Sequence, residues 1–321
     1  MTDGARMTED GVVVHASKLP ATVPMPGLLV RPADGVTVGA EPKRAGWRYL
    51  SFRALSLADG ETTSLAYPEQ EAIVITIAGG GAQIEYDSSP AMDLAGRSTV
   101  FDGLPWTAYM PAGSGARIIG QPWKAGGRSV IAYAQAPPSG RTGVSARPIL
   151  IGPDDVEIEV RGAGQATRQV TNIVMPAFPA DRLLCCEVYT PGGNWSGWPP
   201  HKHDVDDMPR EAVLEETYYY QQRRPDGWGV ARLYFKDDRP DGLWAVQNGD
   251  LLLVTEGYHP FAANPGYDAY YLNFLAGDRR TMANSDDPDI AWVRETWPDT
   301  PKDRRIPMVA AVESPPLRLG A

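Results

Sequence analysis

From residue 28 onward the chain is a succession of short runs rich in Ile, Val, Tyr and Thr, each closed by a Gly- or Pro-bearing turn. Runs at 47–57, 72–86, 98–109 and 129–135 read as strands, with breaks at Asp59-Gly60, Gly79-Gly80-Gly81 and Pro111-Ala112-Gly113. After Pro137-Pro138-Ser139-Gly140 the pattern restarts, with strands expected at 156–160, 183–189, 216–221, 229–235, 250–254 and 269–275. No long stretch keeps a 3.6-residue period, so a helical bundle is excluded. The 33 Gly and 30 Pro, about a fifth of 321 residues, point the same way. Many short strands at this spacing predict an all-β chain of barrels or sandwiches. A content of 43% hydrophobic residues is enough to bury a core.

The pattern carries a faint internal repeat. LSLADGETTSLAYPEQEAIVITIAGG in the first half runs parallel to CCEVYTPGGNWSGWPPHKHD followed by EETYYYQ in the second. In that alignment the stretch 67–71 stands where the second half has two histidines, so any metal chemistry belongs to the second half. The expected organisation is a flexible arm at 1–24, a metal-free β domain at 25–148 and a metal-bearing β domain at 149–321. The C-terminal stretch is rich in Pro and Asp, with at most a short helix at 289–297.

A net charge of −10 argues against non-specific binding to nucleic acid or to an anionic membrane, both of which need a basic surface. No apolar run is long enough to span a bilayer, and the N-terminus has no apolar signal region. The only cysteines, Cys185 and Cys186, are adjacent. On a strand they face opposite ways, so they read as two thiols kept reduced. A cytoplasmic location is expected.

The chemistry concentrates in few residues. Of four histidines, His15 lies in the arm; His201 and His203 form an H-x-H pair, and His259 follows in a Gly-Tyr-His-Pro turn. On a strand, residues i and i+2 face one side, so both imidazoles of the pair reach one ion. Lys202, between them, should face away. Glu215 and Glu216 compete to add an oxygen. Glu216 shares its face with Tyr218 and Tyr220 and is preferred. Three imidazoles and a carboxylate suit a divalent Zn, Mn or Fe with positions left for substrate. Arg161, Arg168 and Arg232 are candidates to grip a carboxylate bidentately. The segment RGAGQATR, at 161–168, has the look of a phosphate loop but lacks its third Gly.

Longer segments carry a family resemblance. TPGGNWSGWPPHKHD (190–204), LEETYYY (214–220), EGYHPFAANPGYDAYYLNFLAG (256–277) and DDPDIAW (286–292) closely resemble the 5-deoxy-glucuronate isomerase family of myo-inositol catabolism. LLVRP (28–32), AGWRYLSF (45–52) and RGAGQATRQVTNI (161–173) extend the likeness over nearly the whole chain after the arm. The resemblance implies a bicupin, two jelly-roll-type β-barrels with the metal in the second. It implies His201, His203, Glu216 and His259 as metal ligands, and the related hexuronate ketol-isomerases support Glu216 over Glu215. One departure stands beside the metal loop: Trp198 occupies a place where the family has a smaller aromatic, and it is expected to reshape the entrance.

The activity so implied is aldose–ketose isomerisation of 5-deoxy-D-glucuronate to 5-dehydro-2-deoxy-D-gluconate through an enediolate. Glu216 and Tyr218 are the expected catalytic residues; Arg168, Tyr220, Arg232 and Tyr271 are expected to bind substrate. The partner is a small sugar acid, and pairing of chains into a homo-oligomer fits the fold. Three alternatives stand beside this reading: a hexuronate ketol-isomerase, an iron-dependent cupin dioxygenase, and a metal-stabilised sugar-binding cupin without catalysis.

Overall fold

The structure is a computed structural model that describes residues 27–310 apart from 33, 35, 36, 88 and 125, with a short ladder between Met7–Thr8 and Gly11–Val12. The rest of the expected arm, including His15, lies outside the described residues.

The chain is all-β, and every ladder in it is antiparallel. Two sheets build the first unit. One has the order Ile149–Ile151, Thr107–Met110, Glu71–Ala78, Ser129–Ala136, Ser51–Leu57, Val38–Ala40. The other runs Thr62–Ser64, Arg117–Gly120, Gly81–Glu85, Met92–Ala95. The second unit repeats the plan. Its large sheet reads Leu29–Val30, Leu251–Val254, Glu215–Gln222, Ala269–Ala276, Leu184–Thr190, Arg168–Val174, Glu157–Arg161. Its small sheet reads Trp195–Ser196, Phe261–Ala263, Trp228–Leu233, Gly242–Gln247. The six strands of the first large sheet match six of the second in order, the second adding Glu157–Arg161 at its edge, and the small sheets match strand for strand, which makes the repeat of the sequence a repeat of topology and gives the bicupin architecture. Among the described residues no ladder joins the two sheets of a unit into a closed ring.

The repeat also shows how the units are tied. Ile149–Ile151 and Leu29–Val30 hold equivalent edge positions, yet each comes from the start of the other unit's sequence. The expected strand at 98–109 is shorter than its apolar run suggests. Only Thr107–Met110 is extended, because Asp102-Gly103 and Pro105 turn the chain before it.

The two large sheets pack back to back. Phe52 of the first unit meets Tyr219 and Phe274 of the second at ring distances of 5.5 and 6.0 Å. This is why Glu215–Gln222 is buried almost throughout, where a half-exposed strand would alternate. Glu215, Thr217 and Tyr219 face the other unit, while Glu216, Tyr218 and Tyr220 face inward.

Two glutamates fix that interface in the same way. Glu71 accepts the backbone N–H groups of Asp181, Arg182 and Leu183 at 2.6–2.8 Å. Glu215 accepts those of Arg48, Tyr49 and Leu50 at 2.6–3.0 Å. Each opens its strand opposite the closing alanine of the neighbouring one, Ala136 or Ala276. Each therefore caps the chain entering a long strand of the other unit, Leu184–Thr190 or Ser51–Leu57. A carboxylate suits this task because it accepts several donors at once.

Interior residues separate the units in chemistry. Next to Glu71 stands Ala72, at the place of Glu216, and Val74 stands at the place of Tyr218. With Leu57, Ile84, Ile118 and Ile131 they fill the first unit with apolar side chains. The second unit keeps its interior open.

Candidate functional site

The inward face of Glu215–Gln222 and the loops around it assemble the site. His203 lies at the mouth of the second unit, beyond the two-residue strand His201–Lys202, which pairs with Ser285–Asp286. His203 Nδ1 lies 2.9 Å from the Leu214 carbonyl oxygen, and His259 Nδ1 lies 2.9 Å from that of Gly257. A carbonyl only accepts, so both rings donate from Nδ1 and, as neutral imidazoles, turn a lone pair outward at Nε2.

Those two nitrogens converge on one carboxylate oxygen. His203 Nε2 is 2.7 Å and His259 Nε2 is 3.2 Å from Glu216 Oε2. His259 Nε2, buried, has no hydrogen-bond partner among the described residues. Three acceptors pointing at one another repel unless a proton or a cation lies among them, and this donor set fits a divalent ion. The electrostatics agree. Burial alone would raise the Glu216 carboxyl, but His203 and His259 hold it well below the carboxylate range. Burial opposes a charge on His203, and Glu216 overcomes it and lifts the ring.

His201 stands slightly apart. Its ring lies 4.8 Å from that of His259 and 6.3 Å from that of His203. Burial, reinforced by His259, holds it neutral, well below the ordinary histidine range. It lines the same cavity, so His201, His203, Glu216 and His259 are gathered in one place, with His203, Glu216 and His259 forming the compact core.

The cavity has a volume of about 450 Å³, the size of a small-molecule site. Its floor is the large sheet. Tyr218 and Tyr271 stack on it at 4.3 Å, and Tyr271 shares a 2.5 Å hydroxyl contact with Ser196. Arg161 and Arg168, opposite each other across their hairpin, both enter the cavity. Arg161 is neutralised by Glu159 at 2.7 Å. Arg168 is different: it is 9% exposed, and among the described residues its one side-chain hydrogen bond is a long 3.5 Å contact to the Ala166 carbonyl and no carboxylate pairs with it. Burial, with Arg161 adding to it, presses Arg168 below the ordinary arginine range.

Several expectations need correction. Arg232 does not reach the cavity. It sits at an outward position of the small sheet, between inward Ala231 and Leu233, pairs with Asp241 and lies 4.0 Å above the Tyr234 ring. Tyr220 shares its face with Tyr218 but lies deeper, fully buried against Phe261 and Tyr271, and does not line the cavity. Trp198 does not shape the entrance; it packs against Trp195 at 4.8 Å, and the small Gly197 faces the cavity instead. Lys202 does face away, held by Asp204 and Glu211. The phosphate-like segment is a tight hairpin whose turn, Gly164–Ala166, leads into a strand and offers no helix N-terminus.

Other lining residues escaped the sequence reading. Cys186, Asn273, Arg294 and Trp297 all face the cavity. Asn273 was within reach of the period-2 rule, since it is two residues past Tyr271. Arg294 and Trp297 arrive on the 3-10 helix Ala291–Asp299, in register with nothing.

The family model described as KduI/IolB matches residues 28–293. A 5-deoxy-glucuronate isomerase of Geobacillus kaustophilus is 40% identical over 264 residues, 82% of this chain and 92% of that protein. The crystal structure of an IolB-like protein from Salmonella typhimurium LT2 has a TM-score of 0.76 at 33% identity, over 83% of this chain and 99% of that one. An oxalate decarboxylase of Lactobacillus farciminis has a TM-score of 0.59 at 11% identity, over 84% of this chain and 91% of that one, and shares the fold alone. Matched across most of its length by the family model and by these relatives, the chain belongs to the KduI/IolB family.

Proposed function

We propose that the cavity isomerises a sugar acid, 5-deoxy-D-glucuronate, to 5-dehydro-2-deoxy-D-gluconate. One observation carries the reading: the same enclosed space holds a convergent His–Glu–His cluster and a buried arginine with no carboxylate partner among the described residues. The cluster suits a divalent Zn, Mn or Fe, held by His203, Glu216 and His259 with His201 beside them. The arginine suits the acid group of the substrate. The relatives named as 5-deoxy-glucuronate isomerases narrow the substrate.

The reaction is an internal exchange. A proton leaves the carbon next to the aldehyde and returns at the former aldehyde carbon, so one carbon is oxidised as its neighbour is reduced. A divalent ion bound there supplies Lewis acidity toward substrate oxygens. Arg168 grips the carboxylate and sets the register of the chain. Burial pushes the Tyr218 phenol well above its ordinary range, so it keeps its proton and donates to a substrate oxygen. The half-enclosed walls limit competing water.

The deciding experiment supplies 5-deoxy-glucuronate to the protein loaded with each metal and follows the keto acid by NMR, with an oxygen electrode in the same cell. Conversion that a chelator stops, without oxygen uptake, is expected. Oxygen uptake coupled to turnover would return the site to the dioxygenase reading, and saturable binding without product would return it to a binding protein.

Arg168→Leu tests the carboxylate role. Charge-assisted hydrogen bonds contribute about 1.5–3 kcal/mol, so KM should rise by roughly 10- to 100-fold with kcat little changed. An unchanged KM would remove Arg168 from the substrate.

A further inference from the structure

Asn273 stands in the middle of the cavity floor, between Cys186 on one neighbouring strand and Tyr218 on the other. Its side chain donates from Nδ2 to Glu216 Oε1 at 2.6 Å. The ionised Glu216 can only accept, so the amide's NH2 group must face it and the carbonyl oxygen must face elsewhere. That oxygen, Oδ1, is buried, and it has no hydrogen-bond partner among the described residues. The residue is 6% exposed and lines the cavity. A buried amide oxygen left without a donor is unfavourable, and in a native structure it calls for a ligand or a function.

We propose that Asn273 is a substrate-contacting residue that determines specificity: Oδ1 accepts a hydrogen bond from a hydroxyl of the sugar acid while Nδ2 holds Glu216 in place. The identity of that hydroxyl rests on the isomerase reading. Glu216 presents Oε2 to the two histidines and Oε1 to Asn273, so Oδ1 lies one group removed from the convergent nitrogens. With the reacting pair, C1 and C2, at the histidine cluster and the carboxylate at Arg168, the next hydroxyl along the chain, on C3, meets Asn273. A substrate without it leaves Oδ1 buried and unpaired. Sites built to hydrogen-bond a hydroxyl reject analogues that lack it far more strongly than apolar pockets reject added bulk.

The test compares two substrates and three full-length, metal-loaded proteins: wild type, Asn273→Ala and Asn273→Asp. The substrates are 5-deoxy-glucuronate and its analogue lacking the C3 hydroxyl. Wild type is expected to prefer the first by on the order of 10²-fold in kcat/KM. Asn273→Ala should treat the two alike, to within about 3-fold. Asn273→Asp keeps an acceptor but turns an oxygen toward Glu216, so it should need a higher metal concentration for loading and, once loaded, retain the preference. Where a variant turns over too slowly, the same ratio is read as dissociation constants by calorimetry. A merely structural asparagine would lower both substrates equally and leave the ratio at its wild-type value, which would overturn the proposal. A wild type that converts neither sugar acid would sink the isomerase reading and this assignment together, whereas wild-type turnover with an unchanged ratio in Asn273→Ala sinks this assignment alone.

Discussion

Glu216→Gln is expected to lower kcat/KM by on the order of 10³-fold and to strip bound metal while leaving the melting temperature nearly unchanged, and Glu215→Gln is expected to do the reverse. Lewis-acid stabilisation is worth several kcal/mol, and each 1.36 kcal/mol is a factor of ten in rate, which sets the first figure. Stability should hold in Glu216→Gln because the new NH2 can donate to the lone pairs that His203 and His259 now turn toward the carboxylate. Glu215 faces the opposite side of the strand, where its two oxygens take the N–H groups of Arg48, Tyr49 and Leu50. A glutamine there must set an NH2 against at least one of those donors, leaving it buried and unpaired at a cost of about 1–3 kcal/mol. Metal analysis, initial rates and urea unfolding on both variants check the pair. If Glu215→Gln lost the metal and Glu216→Gln lost the stability, the inward and outward assignments would be exchanged.

Why sequence reasoning separates these two neighbours is plain physics: successive side chains on a strand point opposite ways, and Glu216 shares its face with Tyr218. The same rule fails one step further along. Tyr220 obeys the alternation but lies too deep, because period-2 patterning gives a face and not a depth. Arg232 misleads for a related reason. Its strand belongs to the small sheet, whose outer face meets solvent, and only the packing of the two sheets reveals which alternating set points inward. The histidines were legible because H-x-H is short-range and because the repeat left the first unit without a counterpart. At the matching place, Tyr67-Pro68-Glu69-Gln70-Glu71, the first unit has no histidine, and Ala72 stands where the second unit has Glu216. The short helix expected at 289–297 is the 3-10 helix Ala291–Asp299, but without an apolar period it does not announce its partner, so the cavity-facing Arg294 and Trp297 were illegible.

The largest loss of stability is expected outside the cavity, in Arg97→Met. Arg97 leaves the first unit and buries its guanidinium against Glu187 of the second, with side chains 3% and 0% exposed. Nε and Nη1 donate to the carbonyls of Thr76 and Gly103 at 3.1 and 2.9 Å, and Nη2 pairs with Glu187. Glu187 in turn accepts the hydroxyls of Tyr189 and Tyr270 at 2.9 and 2.8 Å. Every polar atom of the pair is thus accounted for, which is the condition under which a buried ion pair is tolerable. Removing one partner leaves a carboxylate enclosed among Tyr189, Tyr270 and Phe101, and the expected cost is about 3–5 kcal/mol. The pair itself need not be stabilising, because bringing both charges out of water offsets much of their attraction. The double variant Arg97→Met/Glu187→Leu should therefore recover most of the loss, and a double-mutant cycle by chemical denaturation measures the coupling. Catalytic rate at low temperature should stay near wild type in both, since neither residue lines the cavity. A single variant that lost less than about 1 kcal/mol would mean that the back-to-back sheets, with Phe52 seated against Tyr219 and Phe274, hold the units together without this pair.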